Sequence, residues 1–383
     1  MNPTFIPLSD PDITAAELKA VNEALQAPQL SGGPIVEAFE EAFAAYLGCK
    51  HAVATASGGV GVLLALKACG VGPGDEVIAP AYSWREAAHA IVNIGARPVF
   101  ADIDYWSGTL VPDKAEARIT DKTRAILAGN PNGHPAPWTE LRALAAKHGL
   151  VLIEDSTEAI GSTYKGGLVG TFGDCAVFDF SQPSPLACGE GGMVVTDDPE
   201  VAAALRRYRG RRPEERSSVV IGMTAPYQAS MSEIAAALGL AQLNRIEVIL
   251  AKRKAVERCY YAYVQSFEGI KDPYVAPEVD EAHWLLYLVH LGTRFTRSAR
   301  DQVIDDLRTE NIGAAAYAQP LHVQPRYTDL GYRRGDLFVT EKVADRAVAL
   351  PFHTHLTEAQ IAFIVGTMKD TSVNVGAGTP IYL

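Results

Sequence analysis

Between Ile35 and Leu47 the apolar residues Val36, Phe39, Phe43 and Leu47 recur every three or four positions, which predicts a helix with one buried face. A helix over Ala15–Gln26 precedes it, and the turn Ser31-Gly32-Gly33-Pro34 separates the two. Beyond Leu47 short apolar runs alternate with longer amphipathic ones. The short runs predict strands at His51–Thr55, Glu76–Ala79, Pro98–Asp102, Ala125–Ala128, Val151–Asp155, Ala176–Phe180 and Met193–Thr196. Helices are predicted from Ser57-Gly58-Gly59 to Cys69, and over Pro199–Tyr208, Ser232–Arg245 and Ile246–Val264. Strand and helix in alternation imply an α/β fold, a mainly parallel sheet covered by helices. From about Gly269 a strand at Ala282–Gly292 and a helix at Ser298–Glu310 suggest a smaller α+β carboxy-terminal domain. The expected division is therefore a large domain over residues 1–250 and a small one over 251–383, with the tail from Thr371 loosely docked.

Composition narrows the function. A chain of 383 residues, 48% hydrophobic, can build a core of this size, and a net charge of -11 argues against nucleic acid or an acidic membrane face as partner. No leader-like basic segment with an apolar run opens the chain, and no run approaches membrane length, so a cytoplasmic protein with a small-molecule substrate is expected. The cysteines Cys49, Cys69, Cys175, Cys188 and Cys259 are scattered and odd in number, which suggests neither a disulfide framework nor a metal site. Cys188 reads either as a small buried filler or as a reactive thiol beside a glycine turn.

Chemistry concentrates between Val151 and Asp198. A buried run ends in Glu154-Asp155, and an acid at the carboxyl end of a parallel strand points into the crevice where open α/β sheets bind ligands. Glu154-Asp155, the spacing of Tyr164 and Gly167, Gly173-Asp174 and the turn Gly189-Glu190-Gly191-Gly192 resemble the DegT/StrS family of sugar and cyclitol aminotransferases, fold type I enzymes that use pyridoxal phosphate (PLP). Ser31 to Pro34, Ser57-Gly58, Pro80 to Trp84, Ala101 to Asp104 and Pro320-Leu321-His322 extend the resemblance over almost the whole chain. It implies a dimer that shares its active site. It also implies a ligand pocket of Ser57, Gly58, Gly59, Trp84 and Asp155, with Trp84 stacking on a flat ring and Asp155 pairing with a ring nitrogen or another cation.

The same alignment of motifs exposes departures. The position of the Schiff-base lysine is Ser184, between Pro183 and Pro185, and serine cannot form an imine. The family's phosphate-contacting serine is Asp179, its phosphate-loop threonine is Gly59, its ring-hydroxyl glutamine is Glu158, and its Asn-Tyr-Arg-Met-Ser-Glu segment reads Gln228 to Glu233. Two unit charges about 4 Å apart repel by roughly 4 kcal/mol at an effective dielectric near 20. A carboxylate at position 179 is thus expected to make binding of PLP, or of the related pyridoxamine phosphate (PMP), weak or absent.

What remains is an acidic pocket. Asp155, Glu158, Asp179, Ser184 and His322 are the catalytic candidates, His322 because histidine titrates near neutrality. Arg85, His134 and Tyr317 are the substrate-binding candidates. An arginine at a helix start such as Arg85 is more often solvated, and His134 and His322 read equally as residues that order their loops. The basic run Arg206, Arg207, Arg209, Arg211 and Arg212 reads as a solvated loop pairing with Glu214 and Glu215, or as a site for a nucleotide diphosphate. The leading functional expectation is a lysine-free, PLP-independent enzyme doing acid/base chemistry on a small sugar, cyclitol or antibiotic-type intermediate, an amine-bearing one suiting the charge. The alternatives are a non-catalytic partner subunit of an active aminotransferase; a PMP-dependent enzyme; and an ordinary aminotransferase if Ser184 is an introduced change. A homodimer is expected, or a heterodimer with a related aminotransferase.

Overall fold

A computed structural model describes residues 5–210, 226–265 and 270–377. Three helices open the chain: α1 (Ala15–Leu25), α2 (Pro34–Leu47) and, after strand β1 (His51–Thr55), α3 (Gly58–Ala68). Strands β2 (Glu76–Pro80), β3 (Arg97–Ala101), β4 (Thr123–Gly129) and β5 (Val151–Asp155) follow. The two-residue strands β6 (Thr163–Tyr164) and β7 (Gly167–Leu168) precede β8 (Cys175–Asp179) and β9 (Gly192–Thr196). The main sheet has the order β1-β9-β8-β5-β4-β2-β3. The pairs from β3 to β8 are parallel, and β9 runs antiparallel to both its neighbours. The α/β expectation holds, with strand bounds shifted by a residue or two.

The face of α2 read from the sequence is the buried one: Phe39 and Phe43 are inaccessible, and Phe43 meets Phe178 and Phe180 edge-on at centroid distances of 5.0 and 5.5 Å. Its start is fixed from afar. The buried Glu233 carboxylate accepts from the amides of Gly33 (2.8 Å), Ile35 (2.8 Å) and Val36 (3.2 Å), donors the first turn of a helix leaves unpaired. Glu154 does the same for the glycine-spaced loop: it accepts from Asn130 Nδ2 (3.1 Å), Ser156 Oγ (2.8 Å), Gly170 N (2.6 Å) and Phe172 N (3.0 Å).

A second sheet combines β10 (Ile270–Lys271), β12 (Tyr287–Leu291), β13 (Ala315–Ala316) and β14 (Ala347–Leu350) in the order β10-β12-β14-β13, while β11 (Val279–Glu281) pairs with β6. The amino-terminal arm returns to this part of the chain, where Ile6 bridges Ile312.

Two expectations fail here. The single strand over Ala282–Gly292 is instead β12 preceded by an irregular stretch, because side chains and loops take the groups a ladder would use. Arg253 donates to the carbonyls of Trp284 (2.8 Å) and Leu285 (2.7 Å), and Asn132 accepts from the amides of Leu285 (3.1 Å, through its carbonyl) and Leu286 (2.9 Å, through Oδ1). The described part of the tail is not loose: a helix spans Glu358–Ala377 and buries Thr371 and Ser372. No single helix among the described residues is long and apolar enough to cross a membrane.

Glu154→Ala would orphan four donors. With each buried unpaired group costing roughly 1–3 kcal/mol, a loss of about 4 kcal/mol or more is expected in the unfolding free energy read from urea titration. A loss too small to resolve would show that water replaces the carboxylate.

Candidate functional site

The carboxyl ends of β2, β5 and β8 open onto one cavity of about 540 Å³. Trp84, Arg85 and Glu86 line it after β2, Asp155, Thr157 and Glu158 after β5, and Asp179, Ser181, Gln182 and Pro183 after β8. Gly59 on α3 and Leu285, Ala316, Ala318, Gln319 and Gln324 close the other side.

Asp155 is the last residue of β5 and only 8% exposed. Thr157 donates to its Oδ1 from the hydroxyl (2.7 Å) and the amide (3.2 Å), and nothing among the described residues donates to Oδ2. Burial raises its carboxyl above the usual range, and the neighbouring Asp179 and Glu86 charges push the same way.

Glu158 is more fully engaged. Trp84 Nε1 donates to Oε1, while the Asn132 amide (2.8 Å) and Tyr317 hydroxyl (2.5 Å) donate to Oε2. One carboxylate thus ties the β2 and β4 loops to the carboxy-terminal part of the chain. Burial pushes its carboxyl up to about 7, against the opposing effect of those three donors.

Asp179 ends β8 and reaches the amino terminus of α3, where its Oδ2 accepts from the Gly58 amide at 2.7 Å. Its Oδ1 accepts from the Ser181 amide at 2.7 Å and from the Ser181 hydroxyl. A Cβ at Gly58 would lie 2.5 Å from Asp179 Oδ2, so only glycine admits this approach. Ser57 caps α3 by accepting from the Val60 amide at 3.3 Å. Gly192 is needed for a similar reason, since a Cβ there would meet the Ser57 carbonyl at 2.6 Å.

The sequence model of the DegT/DnrJ/EryC1/StrS aminotransferase family matches residues 11–369. The chain belongs to that family. It is 34% identical over 377 residues to the spore coat polysaccharide biosynthesis protein SpsC of Bacillus subtilis strain 168, covering 96% of this chain and 97% of that one. It is 35% identical over 370 residues to the GDP-perosamine synthase of Caulobacter vibrioides, covering 96% and 98%. The crystal structure of S. venezuelae DesV in complex with a ketimine intermediate superposes with a TM-score of 0.88 at 31% identity, covering 96% and 98%.

The family's cofactor, pyridoxal phosphate, does not fit the residues present in this DegT/DnrJ/EryC1/StrS chain. Its aldehyde would need an amine, and among the described residues no lysine lines the cavity. Its phosphate would need open donors at the start of α3, where the Gly58 amide is already taken by a carboxylate.

The sequence candidates divide into two groups. Asp155, Glu158, Asp179, Trp84, Arg85 and Gly59 line the cavity together. Arg85 stands at its rim and pairs with Glu86 at 3.0 Å. Ser184 is buried beside the lining residue Pro183 and does not itself line the cavity, and Tyr317 acts on it only through Glu158.

Two corrections concern histidines. His322 is fully buried outside the cavity, its Nε2 on Glu341 Oε1 at 3.0 Å, so the general acid/base reading loses its geometry. His134 donates from Nδ1 to the Pro135 carbonyl (2.8 Å) and accepts at Nε2 from the Ala276 amide (3.1 Å), leaving no ring nitrogen for substrate. Cys188 is a buried filler, its thiol pushed up to about 12 chiefly by burial. Asp102 and Asp104 cap backbone amides as a structural turn, Asp102 at Thr340 (2.8 Å) and Asp104 at Trp106 (2.9 Å). In the basic run, Arg209 pairs with Glu40, whereas Arg211, Arg212, Glu214 and Glu215 lie outside the described residues.

The sequence reading missed Glu86, Thr157 and Ser181. Thr157 and Ser181 had a signal: each stands two residues after an acid, the spacing of an Asx turn.

Glu158 gives a pH prediction. Its folded-state pKa lies above the unfolded one, so its contribution is intact below about pH 4.5 and is lost as pH rises through about 7. Thermal stability is expected to fall by on the order of 3 kcal/mol across that window, at about 1.4 kcal/mol per unit. Glu158→Gln should flatten the profile, and an unchanged slope in that variant would contradict the assignment.

Proposed function

We propose that this chain is a lysine-free member of its family that binds a small amine-bearing intermediate of the sugar or cyclitol type and does acid/base chemistry on it without PLP. The observation that carries the reading is the pair of buried carboxylates, Asp155 and Glu158, on the wall of a cavity with no lysine among its lining residues. Asp155 offers Oδ2 to an ammonium group, with the Trp84 ring beside it as an apolar and cation-attracting surface. Glu158, drawn to about 7, holds or releases a proton at neutral pH, and the Tyr317 hydroxyl can turn to accept from the protonated acid. Two of the similar proteins carry names from polysaccharide and nucleotide-sugar biosynthesis, which supports a sugar-type ligand. The exposed Leu18, Leu25 and Leu30 of the amino-terminal arm support a homodimer as the working unit.

Borohydride reduction after incubation with PLP, read by intact mass, is expected to leave no stoichiometric adduct. Labelling of one lysine to completion would overturn the reading. In a calorimetric panel of amino sugars and their hydroxyl analogues, the amines should bind preferentially. Asp155→Asn should weaken them by roughly ten- to a hundredfold, as expected for one charge-assisted hydrogen bond worth roughly 1.5–3 kcal/mol.

A further inference from the structure

We infer that Asp179 is a built-in anion that fills the place of a ligand phosphate and makes this cavity select phosphate-free ligands. An eleven-residue helix such as α3 presents unpaired amides and a partial positive charge at its first turn, which ordinarily favours a bound anion. Here α3 has no acid of its own in that turn. The charge arrives from β8 instead, with Asp179 Oδ2 on the Gly58 amide at 2.7 Å. Ser181 clamps the other oxygen from its amide at 2.7 Å and from its hydroxyl, so the carboxylate is held from both sides.

A second feature of the same helix start points the same way. A Cβ at Gly59 would lie 3.4 Å from Glu86 Cβ and 3.6 Å from its Cγ, so the Glu86 side chain packs over the next residue of α3. A phosphate dianion entering here would displace one carboxylate and face another. Asp155 adds a third from the neighbouring strand, and Arg85, the cation among the described lining residues, is already paired with Glu86. A ligand that ends in a hydroxyl or an ammonium group meets no such penalty. The inference rests on the proposed function only in taking this cavity as the ligand site, and its test requires no turnover.

Pyridoxamine and PMP differ by one phosphate, and their affinities for the full chain can be compared by titration calorimetry. The wild type should bind PMP no more tightly than pyridoxamine. Asp179→Ser should raise the preference for PMP over pyridoxamine by about tenfold or more. Asp179→Asn keeps the size and removes the charge, so it should shift the preference in the same direction and decides the matter if the serine variant fails to fold. A folded variant whose PMP preference is no greater than that of the wild type, including one in which no phosphate-dependent binding develops, overturns the inference. A PLP–lysine adduct in the wild type would instead sink the proposed function and leave this comparison standing.

Discussion

A carboxylate taken out of water costs several kcal/mol unless donors reach it, and this requirement organises the crevice end of the main sheet. Four acids stand there, and each buried oxygen recruits a different part of the chain. Glu154 gathers Asn130, Ser156 and the amides of Gly170 and Phe172. Glu158 gathers Trp84, Asn132 and Tyr317. Asp179 gathers Gly58 and Ser181. Asp155 alone is half-satisfied, by Thr157, and it is the one whose free oxygen belongs to a wall of the cavity. The hydrogen bonds that stabilise the loops therefore also determine which acid is left for a ligand.

The carboxy-terminal part of the chain is held to this arrangement by similar means. Arg253, buried in the helix Ile246–Val264, donates to the carbonyls of Trp284, Leu285 and Phe352 and lies 4.5 Å from the Phe352 ring centroid. Burial lowers its guanidinium pKa to about 9, which leaves the cation the favoured form at neutral pH. Tyr317 reaches Glu158 from the same part of the molecule. The cavity wall formed by Leu285, Ala316, Ala318, Gln319 and Gln324 thus depends on bonds made well away from the cavity.

A family scaffold and a family reaction are separable. The chain superposes on DesV at a TM-score of 0.88, so the strand order and crevice are those of the family. At the crevice end of this sheet, between the end of β8 and the start of α3, a carboxylate is held on backbone amides. The Asp179 carboxylate supplies a negative charge at the amino terminus of that helix, where the helix dipole favours one.

The sequence by itself determined the frame. The period of apolar residues in α2, the short buried runs and the ordered motifs located the strands, the crevice and the acids Asp155, Glu158 and Asp179, because periodicity and strand ends are local properties. It also displayed the serine at position 184. Only the tertiary structure decided what those residues meet. His134 and His322 were separated from the cavity by backbone and carboxylate partners distant in sequence, and Glu158 acquired its three donors from positions 74, 26 and 159 residues away. The irregular run before β12 has the same origin: its backbone groups are claimed by Arg253 and Asn132, and a propensity for strand cannot register a competitor that the chain brings in only on folding.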